Sequence, residues 1–368
     1  MQKKIEFSLH SFLRRDEITI RREARGIGVN KEKLQKLREK YQDQAADVVS
    51  DPALAAVAKT LFEEPGNRAL PYAGMPTFLD LPLSSDFTDL DIALVGVPMD
   101  LGVTNRPGAR FGPRAIRGIE RIGPYNHALK VLPIQNHKIA DVGDVPFRSR
   151  YSLEESIQDI EKYFREVGAA DVRALAVGGD HSISYPILKA LGAKEPVGMV
   201  HIDAHCDTMG EMDGSKFHHG GPFRLAVLDG VLDPERCIQI GIRGSSEFVW
   251  EFSYESGMTV IHAEDVDVMG VPAVIDKARE VVGAGPVYVT LDVDGIDPAF
   301  APGTGTPEVG GLTPRECLAI LRGLAGLQVV GGDVVEVAPQ YDPSTNTVQV
   351  AAQIVLEILS LMVLAPTQ

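Results

Sequence analysis

At 368 residues, 44% of them hydrophobic and 24% charged, the chain is long for one domain yet within reach of a single decorated α/β sheet. A net charge of −15 argues against a nucleic-acid partner, since phosphate contacts need accumulated positive surface, and mildly favours cationic small molecules. Three cysteines, an odd number in a large chain, fit a reducing compartment; with no apolar run of the ~18 residues a membrane span needs and no secretory apolar core at the start, the expectation is a cytoplasmic protein without membrane contact.

Residues 1–70 read as a partly helical amino-terminal extension, and 71–368 as a catalytic domain, with Pro65-Gly66-Asn67 marking the break. Residues 1–42 hold 12 Lys or Arg against 6 Asp or Glu, a local +6 on an acidic chain. The apolar Ile5, Phe7, Leu9 and Phe12 look more like anchors than like a free tail, and the basic segment suits an acidic neighbouring surface, while the mixed charges from Lys31 to Lys40 read equally well as a solvated helix. Further along, strand-like apolar runs recur near 91–97, 138–142, 173–177, 197–203, 236–242, 258–262, 287–293 and 328–337, mostly separated by helix-length segments. That alternation predicts a three-layer αβα sandwich around a mostly parallel sheet of about eight strands.

Chemistry-bearing residues concentrate just after three of those runs. In His201-Ile202-Asp203-Ala204-His205-Cys206-Asp207, alternate side chains of an extended strand point the same way, so Asp203, His205 and Asp207 converge while Cys206 turns away. Gly178-Gly179-Asp180-His181-Ser182 lies upstream and Asp292-Val293-Asp294-Gly295-Ile296-Asp297 downstream, each at the carboxyl end of a strand, where open α/β sheets bind ligands. Any one of these clusters reads equally well as a turn or a helix cap. Together, His181, Asp203, His205, Asp207, Asp292 and Asp294 supply four carboxylates and two imidazoles, more negative charge than one divalent ion gathers. Two ions sharing carboxylates would balance it; an oxygen-rich set with some nitrogen and no thiolate favours Mn, with Ni, Co or Zn as alternatives. A water held between two such ions loses a proton near neutral pH, which predicts hydrolysis of a small polar electrophile.

With these residues in place, the chain resembles the ureohydrolases: arginase, agmatinase and the guanidino-acid amidinohydrolases. The matching segments are GGDHSIS at 178–184, HIDAHCDT at 201–208, HHGGPFR at 218–224, LDVDGIDPAFAPGTGTPEVGGLT at 291–313 and DVVEVAPQYD at 333–342, with VGVPMDLGVTNRPGARFGPRAIR at 95–117 in support. The resemblance implies that His181, Asp203, Asp207 and Asp292 hold one metal and His205, Asp203, Asp292 and Asp294 the other, with Asp203 and Asp292 bridging. It further implies that His219 shuttles protons, that Asp207 relays one to the leaving amine, and that Glu336 pairs with a substrate guanidinium, with Thr306 and His219 also facing substrate. His218 competes with His219 for the shuttle role, or is a solvated loop histidine.

Two departures bear on substrate identity: Gly221 stands where agmatinase-like chains carry Thr, and Asn346-Thr347-Val348-Gln349-Val350 replaces an alanine-rich stretch. Agmatine and 4-guanidinobutanoate are the substrates the resemblance favours, free guanidine stays open, and arginine is disfavoured. A homo-oligomer, trimer or hexamer, is the assembly it implies. From other classes, a binuclear metal amidase or deacetylase would share the ligand chemistry without needing Glu336, and a noncatalytic family member would bind metal without turnover.

Overall fold

The computed structural model describes residues 29–45, 48–62, 73–119 and 125–366. The chain divides into two compact units, 1–63 and 64–368. In the first, Asn30 caps a helix over Lys31–Tyr41 by accepting the Lys33 amide, and a second helix spans Pro52–Phe62. The Lys31–Tyr41 helix buries none of its residues, and its Lys36–Glu32 pair is of the exposed i,i+4 kind worth a few tenths of a kcal/mol, ~0.3–0.5. Ile5, Phe7, Leu9, Phe12 and the Pro65-Gly66-Asn67 break lie outside the described residues.

The second unit is built on eight strands: β1 (Ile92–Val97), β2 (Ile139–Asp144), β3 (Arg173–Gly178), β4 (Val197–Ile202), β5 (Leu232–Ile242), β6 (Thr259–His262), β7 (Val287–Asp292) and β8 (Val329–Val335). They form one sheet in the order β2-β1-β3-β8-β7-β4-β5-β6, with every pairing parallel. Each expected run overlaps one observed strand, with β5 beginning earlier, at Leu232, because strands covered on both faces are largely apolar on both faces: β1, β4 and β7 are buried along their whole length.

Alternate residues of β1 feed two separate cores. Ile92 and Leu94 join one that includes Val274, Ala278, Ile320, Leu321 and Val355 from helices Val271–Val282, Pro314–Gly323 and Asn346–Val363. Ala93, Val95 and Val97 join the other, with Ile157, Ile160, Phe164 and Val167 of the helix Leu153–Ala169, whose spacing of three, four and three residues makes one apolar stripe. This is the three-layer sandwich.

The helix Asn346–Val363 corrects one expectation. Its 18 residues, at mean hydropathy 1.5, are long and apolar enough to cross a membrane by length and composition, yet 72% of that stretch is buried inside the protein. Glu357 within it is wholly buried and receives Arg322 and Asn126, so this is a core helix with an internal ion pair.

Register places the strand ends level. Ile202 pairs with Leu291, Asp292 with Val335, and Val177 with Val334, so the residues that follow β3, β8, β7 and β4 emerge side by side at one edge of the sheet.

Candidate metal centre

Those four ends carry the clusters read from the sequence. After β3 the chain turns through Gly179 and Asp180, whose carboxylate caps a short helical turn by accepting the Ser182 amide, and sets His181 at its first position. The His181 Nδ1 atom lies 2.9 Å from Asp207 Oδ2, 3.1 Å from Asp203 Oδ2 and 3.3 Å from Asp292 Oδ2. None of these contacts has the geometry of a hydrogen bond, so a fully buried ring nitrogen faces three carboxylate oxygens with no partner among the described residues. A cation between them is the arrangement such atoms fit. On the other side His205 Nδ1 lies 3.2 Å from Asp294 Oδ2 and 3.5 Å from Asp203 Oδ1. The six residues expected to hold metal are therefore brought together in two overlapping groups that share Asp203.

Backbone amides fix the carboxylates. Asp203 Oδ1 accepts the His205 amide at 2.6 Å, Asp292 Oδ1 that of Asp294 at 2.8 Å, and Asp294 Oδ1 that of Ala204 at 3.2 Å. Asp207 sits in the left-handed backbone region at φ 52°, a local cost retained where side-chain placement demands it.

Crowding like charges out of water leaves a marked imbalance. Burial, then repulsion from Asp294 and Asp203, holds Asp292 well above the carboxylate range, and burial with Asp203 close by lifts Asp294 to about 6. Asp203 goes the other way: burial opposes it, but His201, His181 and His205 together hold it well below. His181 and His205 are raised well above the ordinary imidazole value although burial lowers them, because the surrounding carboxylates favour a positive ring. The site demands positive charge, and bound divalent ions would answer that demand more fully than two protons.

His219 and Glu336 form the second feature. Glu336, the residue after β8, also has a left-handed backbone, φ 63°. Its Oε1 accepts the His181 amide and contacts His219 Nδ1, both at 2.9 Å. Its Oε2 is buried with no partner among the described residues. Gly305 faces that oxygen: a Cβ built there would stand 3.7 Å from Oε2 and 3.0 Å from the Arg106 carbonyl, so the glycine keeps the space open. His219 Nε2 meets the exposed Thr104 hydroxyl at 2.8 Å, and the Glu336 charge, against the opposing effect of burial, lifts the ring to about 9.

His218 differs from the solvated loop histidine its position suggested. It is buried and its Nε2 bonds the Gly210 carbonyl at 2.8 Å, a contact within its own loop. Gly221 belongs to the same packing, since a Cβ there would meet the Met209 carbonyl at 3.0 Å and the His218 ring at 3.1 Å. Thr306, expected at the substrate, has its hydroxyl 3.2 Å from Asp294 Oδ2.

Several residues escaped the sequence reading. His201 Nε2 lies 2.7 Å from Asp203 Oδ2, and its Nδ1 receives the Gln239 amide, whose nitrogen is identified by its other bond to the Cys206 carbonyl. Both ring nitrogens are thus occupied, and His201 orients Asp203. The period of two that singled out Asp203, His205 and Asp207 extends back to His201 and could have found it. Arg243 is buried and donates to the carbonyls of Gly241, Asp294, Gly295, Glu308 and Val309, joining the end of β5 to the loops after β7. No local signal marks it.

Imidazoles and carboxylates gathered in two overlapping groups at the carboxyl edge of a parallel sheet define a class of protein, α/β proteins with a donor set suited to divalent cations. The comparisons narrow this, for the model of the arginase family matches residues 90–360, and the chain belongs to that family. It is 47% identical to guanidinopropionase of Pseudomonas aeruginosa over 79% of this chain and 92% of that relative, and 45% identical to the mitochondrial agmatinase of Gallus gallus over 78% and 86%. Among solved structures it is similar to proclavaminate amidino hydrolase from Streptomyces clavuligerus, with a TM-score of 0.77, 37% identity, and coverage of 80% of this chain and 99% of that one.

Proposed function

We propose that this chain hydrolyses a linear guanidino compound to urea and an amine, or ammonia, at a centre of two divalent cations. The observation that carries this reading is Glu336 Oε2, a buried carboxylate oxygen with no protein donor among the described residues, beside a cluster that demands positive charge. His181, Asp203, Asp207 and Asp292 would hold one ion and His205, Asp203, Asp292 and Asp294 the other; oxygen-rich donors favour Mn, with Ni the alternative. Once bound, such a pair of ions supplies an activated water and screens the charge that develops during attack.

The protein's own groups do the rest. Glu336 Oε2 accepts a guanidinium N–H and turns the central carbon toward the cluster. Because Oε1 is fixed by the His181 amide, the orientation of this carboxylate is tied to that of a metal-site residue. Asp207 would pass a proton to the leaving amine, and His219, between Glu336 and the exposed Thr104, would exchange protons with the mouth. Relatives named guanidinopropionase, agmatinase and guanidinobutyrase support a small linear substrate, and this reading includes free guanidine. Residues 71–368 would form the catalytic domain of a cytoplasmic homo-oligomer, a trimer or a hexamer.

The test is urea release from guanidine, 3-guanidinopropionate, 4-guanidinobutanoate, agmatine and arginine, with Mn, Ni, Co and Zn supplied in turn. A protein that binds two ions yet releases no urea from any of them contradicts the proposal.

A further inference from the structure

Directly beneath the cluster lies a buried carboxylate to which the reaction gives no role. Asp333 of β8 is wholly inaccessible to solvent. Three hydroxyls converge on it: Ser184 Oγ at 2.5 Å and Tyr288 Oη at 2.6 Å donate to Oδ2, and Thr290 Oγ1 at 2.5 Å donates to Oδ1. The sheet builds this arrangement. Thr290 and Asp333 are register partners, and Tyr288, Thr290 and Asp292 occupy alternate positions of β7, so the strand that delivers Asp292 to the cluster also carries two donors to Asp333. Tyr288 remains a donor, since burial and the neighbouring Asp333 charge hold its phenol well above the ordinary value.

The hydroxyl of Thr290 has a second neighbour, His181 Nε2, at 2.8 Å. A carboxylate only accepts, and a hydroxyl has a single hydrogen. Thr290 gives that hydrogen to Asp333, so it offers His181 a lone pair, and Nε2 must carry the ring proton. In the neutral ring that a bound cation requires, Nδ1 is then left as the lone pair, and Nδ1 is the atom that faces Asp203, Asp207 and Asp292.

We propose that Asp333 is a positioning residue of the metal centre: acting through Thr290, it locks His181 in the tautomer that presents Nδ1 to the cation shared with Asp203, Asp207 and Asp292. This rests on His181 being a metal ligand. Outer partners that orient a histidine ligand typically contribute 10- to 100-fold in metal affinity. The effect falls on one ion, because His205, which serves the other, is not joined to this network by any described hydrogen bond.

The experiment measures metal stoichiometry and the dissociation constants of both ions by competition with a chelator, on the full-length protein and four variants. Thr290→Val, nearly isosteric, should weaken one of the two ions about 10- to 100-fold while the second stays at parental affinity, and Asp333→Asn should do the same. Thr290→Ser, which keeps the hydroxyl, should restore parental binding. His181→Asn is the control and should hold a single ion. If His181→Asn keeps both ions at parental affinity, the assignment of His181 falls, and the relay with it. Should His181→Asn lose one ion while Thr290→Val and Asp333→Asn keep both, the relay is refuted and the centre stands. Equal loss of both ions in Thr290→Val would reduce Thr290 to a general packing residue and overturn the proposal as well. An Asp333→Asn protein that fails to fold leaves Thr290→Val and Thr290→Ser to decide.

Discussion

Glu336 commits Oε1 to the protein and leaves Oε2 without a partner among the described residues, and in the proposed function that free oxygen meets substrate, which sets the first prediction. Glu336→Gln preserves shape and removes the charge opposite a guanidinium, so two ions should remain bound while kcat/KM falls about 10²-fold, the ~3 kcal/mol scale of a charged hydrogen bond. Unchanged kinetics would move the guanidinium site elsewhere. Gly305→Ala tests the same spot from the opposite side: a methyl 3.7 Å from Oε2 and 3.0 Å from the Arg106 carbonyl should raise KM about tenfold, or ~1.4 kcal/mol, with metal content unaltered. A Gly305→Ala enzyme with parental KM would show that substrate does not use that space. Asp203→Asn and Asp292→Asn should each lose both ions, measured as metal content after gel filtration, since each carboxylate is assigned to both. Retention of two ions by Asp292→Asn would end the bridging assignment. At this scale the sequence was most legible where periodicity and chemistry coincide, as in Asp203, His205 and Asp207. It was silent where a contact spans a long stretch of chain, as between Asn126 and Glu357 or His181 and Thr290.

Elements explain which side of that line a residue falls on. Every strand was visible as a mainly apolar run, because a doubly covered parallel strand admits a polar residue before its end only where a buried partner satisfies it, as Thr290 and Asp333 satisfy each other. The six candidate metal ligands stand out for the same reason, as clusters of polar groups at or just beyond the ends of the runs, whereas His201, Thr290 and Asp333 lie inside their strands. Register between strands has no such local mark, so the Thr290–Asp333 pairing and the level alignment of four strand ends emerged only in three dimensions. Arg243 is a similar case at the end of β5. It is buried, and its guanidinium satisfies five carbonyls, including Asp294 at 2.6 Å and Glu308 at 2.6 Å. Removing it in Arg243→Met strands those carbonyls, and each unsatisfied buried group costs ~1–3 kcal/mol before relaxation. We therefore expect metal-free protein to unfold several degrees lower, and the loop bearing Asp294 to bind its ion more weakly. Arg243→Lys should not rescue either property, because a compact ammonium cannot span the same fork of acceptors. Full recovery by lysine would mean that charge, and not geometry, is what the loops require.

For the whole molecule the open matter is how a basic amino-terminal segment serves an acidic protein. Residues 1–42 carry a local +6, while the chain as a whole stands at −15, so the segment is opposite in charge to the rest of the chain. The helix Lys31–Tyr41 adds an observation the sequence alone did not supply. Leu34, Leu37 and Tyr41 fall at i, i+3 and i+7 and so share one face, yet Leu37 and Tyr41 stay 44% and 47% exposed, and no residue of the helix is buried. A short helix of this kind gains little stability alone and most when its apolar face is covered. A second copy of the chain is the occupant we propose, with the exchange repeated at every interface of a closed, symmetric assembly. Deleting residues 1–42 should then lower the mass seen by analytical ultracentrifugation or change the ranking of guanidino substrates, with two ions still bound per chain. Raising the salt concentration should mimic the deletion in part, since attraction between exposed charges is screened beyond about 8–10 Å at 0.1–0.15 M salt. A truncated protein with parental mass, parental substrate ranking and no added sensitivity to salt would identify the segment as a solvated appendage and leave the catalytic unit to assemble through its own surface.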